Sequence, residues 1–269
     1  MPVRDAIDLV VLGALWGAAF LFMRVAAPAF GPVTLIAVRV TIAAALLLPL
    51  LVREGGMPQA RAAAGRLALV GALNTAIPFT LFAYAALTLP AGLSSVLNAT
   101  VPLFGALVGV VWLGERPRPL QFAGLGLGFA GVLVLAWPRL SSASDWRAVA
   151  AALTATLLYA ISAHLTRQTL TGVRPLVIAG GSMTGAAAML LPLTLVWHPP
   201  SSPASGAWGA ALMLGVASTA IAYVMYFRLL ARAGPTVAMT VTYLIPVFGV
   251  SWGAVFLGER LASTALAGG

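Results

Sequence analysis

The sequence predicts an all-α integral membrane protein built from two inverted five-helix repeats, and three observations carry that expectation. Of 269 residues, 61% are hydrophobic and 8% charged, with a mean hydropathy of +1.02, well outside the range of soluble domains. Apolar runs of about 20 residues, the length that crosses a hydrocarbon core of about 30 Å, recur along the whole chain. Finally, PLFGALVGVVWLGER at Pro102–Arg116 returns as PVFGVSWGAVFLGER at Pro246–Arg260, an offset of 246 − 102 = 144 with 9 of 15 positions identical. A duplicated unit of that length is too long for a solenoid repeat.

Spans are predicted near Ile7–Ala27, Pro32–Val52, Arg66–Thr88, Gly92–Leu113 and Pro119–Trp137. A second set follows at Arg147–Gln168, Pro175–Trp197, Gly206–Leu229 and Pro235–Leu257. The connections are short and carry turn chemistry, as at Gly31-Pro32, Pro90-Ala91-Gly92 and Gly234-Pro235, and in the Pro/Ser-rich His198–Gly206. The first repeat is expected over 1–138 and the second over 147–269. Residues Leu261–Gly269 are too few to span, and Ala267-Gly268 falls 144 after Ala123-Gly124, so the chain stops where a tenth helix would begin. About nine complete helices are therefore expected.

Met1–Asp8 holds one Arg and two Asp before a span-length run, which reads as a first membrane helix rather than a cleaved signal. All fifteen basic residues are arginine. They are scattered singly and build no basic face, so a nucleic-acid partner is not expected despite the net charge of +9. With the amino terminus in the cytoplasm, ten arginines fall on the cytoplasmic side: Arg4, Arg53, Arg61, Arg66, Arg116, Arg118, Arg167, Arg174, Arg228 and Arg232. Only Arg139, Arg147 and Arg260 fall opposite, a positive-inside bias. An odd number of spans per repeat inverts the second copy, the arrangement that suits alternating access.

Three spans carry a mid-membrane proline: Pro78, Pro102 and Pro246. Proline cannot donate to the carbonyl four residues earlier, and those positions are Asn74, Asn98 and Thr242. Repeat symmetry sets Ser218 opposite Asn74. Broken, polar backbone at this depth belongs in protein or along a wet cavity, although such prolines also serve merely as kinks. Aromatics crowd the same level, with Trp16, Phe79, Tyr84, Tyr159, Tyr223, Tyr226 and Tyr243 near mid-span. Thr219, Tyr223 and Tyr226 share one helix face by spacing. This set is the candidate binding belt; packing is the plainer role for any one aromatic. Trp112, Trp137, Trp146, Trp197 and Trp208 sit at span ends, as an interfacial belt would.

Arg24 and Arg39 are the charges well inside spans. Arg24, about one turn from its span end, is expected to snorkel. Arg39 is deeper and is a pathway candidate, as is His164, a titratable group near the end of its span. Glu115 and Glu259 each follow a helix-end glycine and read as architecture, paired with Arg116 or Arg260 or set against the next helix dipole. There is no cysteine, and no Walker-type loop, HExxH or shared-depth Ser/His/Asp set is present. Neither a cofactor nor a metal is expected, and catalysis has no visible residues.

Several segments together resemble the drug/metabolite transporter superfamily, specifically its EamA family. They are Leu15-Trp16-Gly17-Ala18-Ala19-Phe20, Arg39, Leu97-Asn98-Ala99-Thr100-Val101-Pro102-Leu103-Phe104 and the two Leu-Gly-Glu-Arg ends. Thr219-Ala220-Ile221-Ala222-Tyr223 and Val241-Thr242-Tyr243-Leu244-Ile245-Pro246-Val247-Phe248 complete the set. Within the family the chain is most similar to the YddG-type amino-acid exporters. The resemblance implies ten helices, a bacterial inner membrane, and a central cavity lined by helices 1, 3, 4, 6, 8 and 9. It implies export of amino acids, aromatic and other neutral ones, with the lipid bilayer as surroundings. The alternatives are export of another small metabolite or a lipophilic cation, or an intramembrane enzyme.

Overall fold

The computed structural model describes residues 2–114, 124, 126–128, 130–131, 145–199 and 202–259. The predicted fifth span falls largely outside these residues. So do Glu115, Arg116, Arg118, Trp137, Arg139, Arg260 and the segment 261–269.

Eight described helices are long and apolar enough to cross a membrane. They are α1 (Val3–Phe30), α2 (Pro32–Arg53), α3 (Ala64–Ala85), α4 (Ala91–Trp112), α5 (Trp146–Thr169), α6 (Pro175–Leu193), α7 (Ser205–Gly234) and α8 (Val237–Leu257). They correspond to predicted spans one to four and six to nine. Pro32 and Pro175 occupy the first helical position, where the missing N–H is no loss. A short helix, Met57–Ala62, lies in the α2–α3 connection that the sequence leaves as loop. Its Gln59 accepts from the Arg174 amide at 3.0 Å and donates to the Gly172 carbonyl at 3.0 Å. Among the described residues there is no strand.

The repeat is visible in backbone detail. Gly114 and Gly258, 144 apart, both end helices in the left-handed conformation at φ 66° and 64°, the cap that glycine adopts without a Cβ clash. α3 widens to a π-helical turn at Ala72–Ala76, and α7 does so at Val216–Ile221, beginning 216 − 72 = 144 residues later. Each turn follows a glycine at a tight helix crossing. A Cβ on Gly71 would strike the Ser182 carbonyl of α6, and one on Gly215 would sit 2.9 Å from Ile42 Cβ on α2.

The two repeats interlock. α2 and α6 pack against each other across the halves, α1 lies against α7 and α8, and α5 lies against α3 and α4. The ends of the bundle are tied by polar contacts. At the arginine-rich end, Arg232 pairs with Asp5 at 3.1 Å and with Asp8, while Arg174 and Arg66 donate to the carbonyls of Glu54 and Thr169. At the opposite end, Thr34 donates to the Trp197 carbonyl at 2.5 Å.

Two charged side chains at that opposite end bind helix ends. The Arg24 guanidinium donates to the carbonyls of Ala86 and Leu87, at 2.7 and 2.8 Å, closing the end of α3. Glu259 serves a helix of the first repeat. Its two oxygens accept from the amides of Ala91 and Gly92 at 2.7 and 3.1 Å, capping the start of α4. A carboxylate there satisfies orphan donors and faces the positive end of the helix dipole.

A central cavity between the repeats

α1 supplies the first wall. Trp16, Phe20 and Met23 follow i, i+4, i+7 and so lie on one face. Trp16 stands edge-on to Tyr223 and tilted against Tyr226, with ring centroids 6.2 and 5.3 Å away. Across the cavity Tyr159 on α5 packs on Phe79 and Phe82 of α3 at 6.3 and 6.1 Å. Two aromatic groups, each built from both repeats, thus face a common space of about 360 Å³. Pockets of this order hold small organic molecules.

The polar lining comes from the interrupted helices. Asn74 sits within the π-turn of α3 and lies against the Tyr223 hydroxyl. Asn98 ends the first segment of α4, just before the chain turns at Ala99–Thr100 and resumes at Val101 with Pro102 in its first turn. Its carboxamide has no hydrogen-bond partner among the described residues. The break is braced by Thr100, whose hydroxyl donates to the Leu97 carbonyl and meets Thr156 of α5 at 3.0 Å. Thr242 lines the cavity from α8, with its hydroxyl turned back to the Met239 carbonyl at 2.8 Å. Pro246 differs from Pro102, because it lies inside a continuous helix from Val241 to Leu257 and the chain turns earlier, at Thr240.

Arg39 is the cation of this cavity and is only 4% exposed. Its Nε–H donates to Thr219 Oγ1 at 2.9 Å, its plane lies over the Phe79 ring at 3.6 Å, and one terminal nitrogen is 4.0 Å from Met23 Sδ. Thr219 is held in turn by the widened turn of α7, its hydroxyl donating to the Leu214 carbonyl at 2.7 Å. The Arg39 end of the cavity is buried, with Met23, Phe79 and Phe82 around it. The other end is formed by Ala163 and Met239, the latter 62% exposed, on the arginine-rich side of the bundle.

Of the residues marked in the sequence, Trp16, Arg39, Asn74, Phe79, Asn98, Tyr159, Tyr223, Tyr226 and Thr242 line the cavity. Thr219 stands behind Arg39. Ser218 is buried in the α7 turn, with no partner for its hydroxyl among the described residues. Pro78 is buried beneath the lining, while Pro102 is exposed. Tyr84 and Tyr243 lie outside, 40% and 71% exposed. His164 also lies outside, its Nδ1 2.9 Å from the Ala160 carbonyl one turn back on α5. Phe20, Met23, Phe82, Met239 and Ile245 line the cavity without having been singled out. The spacing Trp16–Phe20–Met23 carried the signal for two of them.

Residues 6–137 and 146–269 match the profile of the EamA-like transporter family. A probable terminal-alkyne amino-acid exporter from Streptantibioticus cattleyicolor is 29% identical over 97% of this chain and 88% of its own. The uncharacterized inner membrane transporter YedA of Escherichia coli K12 is 27% identical over 94% and 83%. The pseudopaline exporter CntI of Pseudomonas aeruginosa is 28% identical over 83% and 78%. One solved crystal structure superimposes with a TM-score of 0.65 at 20% identity, covering 100% of this chain and 93% of its own, a likeness of fold.

Proposed function

The chain belongs to the EamA-like transporter family of multi-pass membrane proteins, and on that premise we propose that it exports amino acids, aromatic and other neutral ones, by alternating access. The observation that carries this reading is the composition of the cavity wall. Hydrogen-bonding groups from Asn74, Asn98 and Thr242 share one cavity of about 360 Å³ with the faces of Trp16, Tyr159 and Tyr223. Such a wall suits a small zwitterion with an apolar side chain. The relative from Streptantibioticus cattleyicolor carries an amino-acid exporter's name over nearly the same length.

On the same reading the amino terminus lies in the cytoplasm, since the positive-inside rule makes the arginine-rich end the cytoplasmic one, and the membrane is a bacterial inner membrane, as the name of the relative YedA has it. The exposed end of the cavity then faces the cytoplasm, where an exporter loads. The repeats 1–138 and 147–269 are the two halves that exchange conformations. Among alternatives, another small metabolite fits the same wall. A lipophilic cation fits it less well, because the Arg39 guanidinium stands in the cavity without a carboxylate beside it among the described residues.

Flux of labelled amino acids through proteoliposomes tests the proposal. Saturable transport of at least one of them is expected, falling by about tenfold or more in an Asn98→Leu variant. No transport of any amino acid, or flux unaltered by that substitution, would overturn it.

A further inference from the structure

Arginine 39 presents five N–H donors, and two of them have protein partners: Nε–H on Thr219 and one terminal N–H toward Met23 sulfur. The rest face a cavity from a side chain that is 4% exposed. The described ion pairs of the chain are those of Arg232 with Asp5 and Asp8, so among the described residues no carboxylate neutralises Arg39. A buried guanidinium with open donors calls for an anion, and the planar fork suits a carboxylate held through two parallel bonds.

A structural role would explain the arginine equally well but for the second repeat. The position 144 residues after Arg39 is Met183, and the one 144 before Thr219 is Thr75. Met183 and Thr75 are both fully buried, at the matching helix crossing beside the matching π-turn. Gly71 approaches Ser182 and Ala186 there just as Gly215 approaches Arg39 and Ile42. The Thr75 hydroxyl has no partner among the described residues. The same crossing therefore forms once with a cation and once with a thioether, and packing alone does not require the charge.

We infer that Arg39 is the carboxylate anchor of the cavity, so that the transporter recognises its substrate by a free carboxylate at the buried end, with the aromatic walls taking the side chain. This rests on the amino-acid reading above and names the group through which the substrate is selected. The asymmetry between Arg39 and Met183 confines the anchor to one half, so the carboxylate leads into the end that must open for release.

The test uses the full chain in proteoliposomes and, as probe, the amino acid with the largest flux together with its carboxamide. In the unaltered protein the carboxamide should compete about tenfold more weakly than the acid or worse. Arg39→Met, the side chain the other repeat uses, should fold, raise KM for the acid by about tenfold or more, and bring the two competitors level. Arg39→Lys should keep the preference in weakened form. Equal competition by the carboxamide in the unaltered protein overturns the inference while leaving amino-acid export standing. So does an Arg39→Met variant that still prefers the acid. Should Arg39→Met fail to fold, the competition in the unaltered protein decides alone. Absence of flux for every amino acid removes the premise and the inference together.

Discussion

Glu259 shows how one carboxylate can fasten two repeats. It caps the start of α4 through the buried amides of Ala91 and Gly92, and Gly253 leaves the space its side chain occupies. Removing it strands two donors, a cost of about 1–3 kcal/mol for a buried polar group left unpaired. Glu259→Ala should therefore lower the unfolding temperature of the purified protein, measured by intrinsic fluorescence on heating, while Glu259→Gln retains part of the loss. The tyrosines make a second residue-scale prediction. Tyr159 packs inside the cavity on Phe79 and Phe82, whereas Tyr243 is 71% exposed. Tyr159→Ala should abolish most transport in the liposome assay, by about tenfold or more given the contact area that an aromatic provides. Tyr243→Ala should leave flux within about twofold, within the usual range of surface substitutions.

The instructive elements are the two π-turns. Pro78 stands just after the first and explains a freed carbonyl there. The residue 144 positions on is Ala222, and yet the second turn forms. Proline is thus not the shared cause. What the two turns share is a glycine at the crossing and a threonine inside, Gly71 with Thr75 and Gly215 with Thr219. Pro78→Ala should preserve the turn and leave transport within about twofold, consistent with the proline-free copy. Gly71→Val should instead drive a side chain into the Ser182 carbonyl and cost about 1–3 kcal/mol by overpacking. Gly65→Ala, which meets open space, is the matched control. Thermal unfolding of the three variants side by side separates these effects.

At the scale of the whole molecule, the cavity runs from the exposed Met239 toward the arginine-rich end to the buried Arg39, and polar contacts tie the described residues at the end opposite. There Arg24 binds the end of α3, Glu259 the start of α4 and Thr34 the Trp197 carbonyl. On the export reading proposed above, these are the contacts that must break for cargo to leave at this end. The chain has no cysteine, so introduced thiols report without background. Thr34→Cys with Trp197→Cys, joined by a cleavable bifunctional reagent, should stop flux, and cleavage should restore it. Undiminished flux in the linked protein would exclude opening at that end.

The sequence by itself determined the membrane-spanning character of the helices, the duplicated unit and the order of the spans along the chain. Each of those is written along one dimension, in hydropathy, in proline and glycine placement and in the 144-residue offset. Tertiary structure decided which side of each helix faces the cavity. Lipid-facing and helix-facing side chains here are equally apolar, so the sequence carries little information about rotation around each axis. That is why Tyr84 and Tyr243 shared the depth of Tyr159 and Tyr223 yet lie outside. It is also why Arg24 and Arg39, alike as intramembrane cations in the sequence, separate only in three dimensions. Arg24 meets carbonyls at a helix end, whereas Arg39 meets a cavity. Only the packing of neighbouring helices brings donors and acceptors 62 and 180 residues apart into contact.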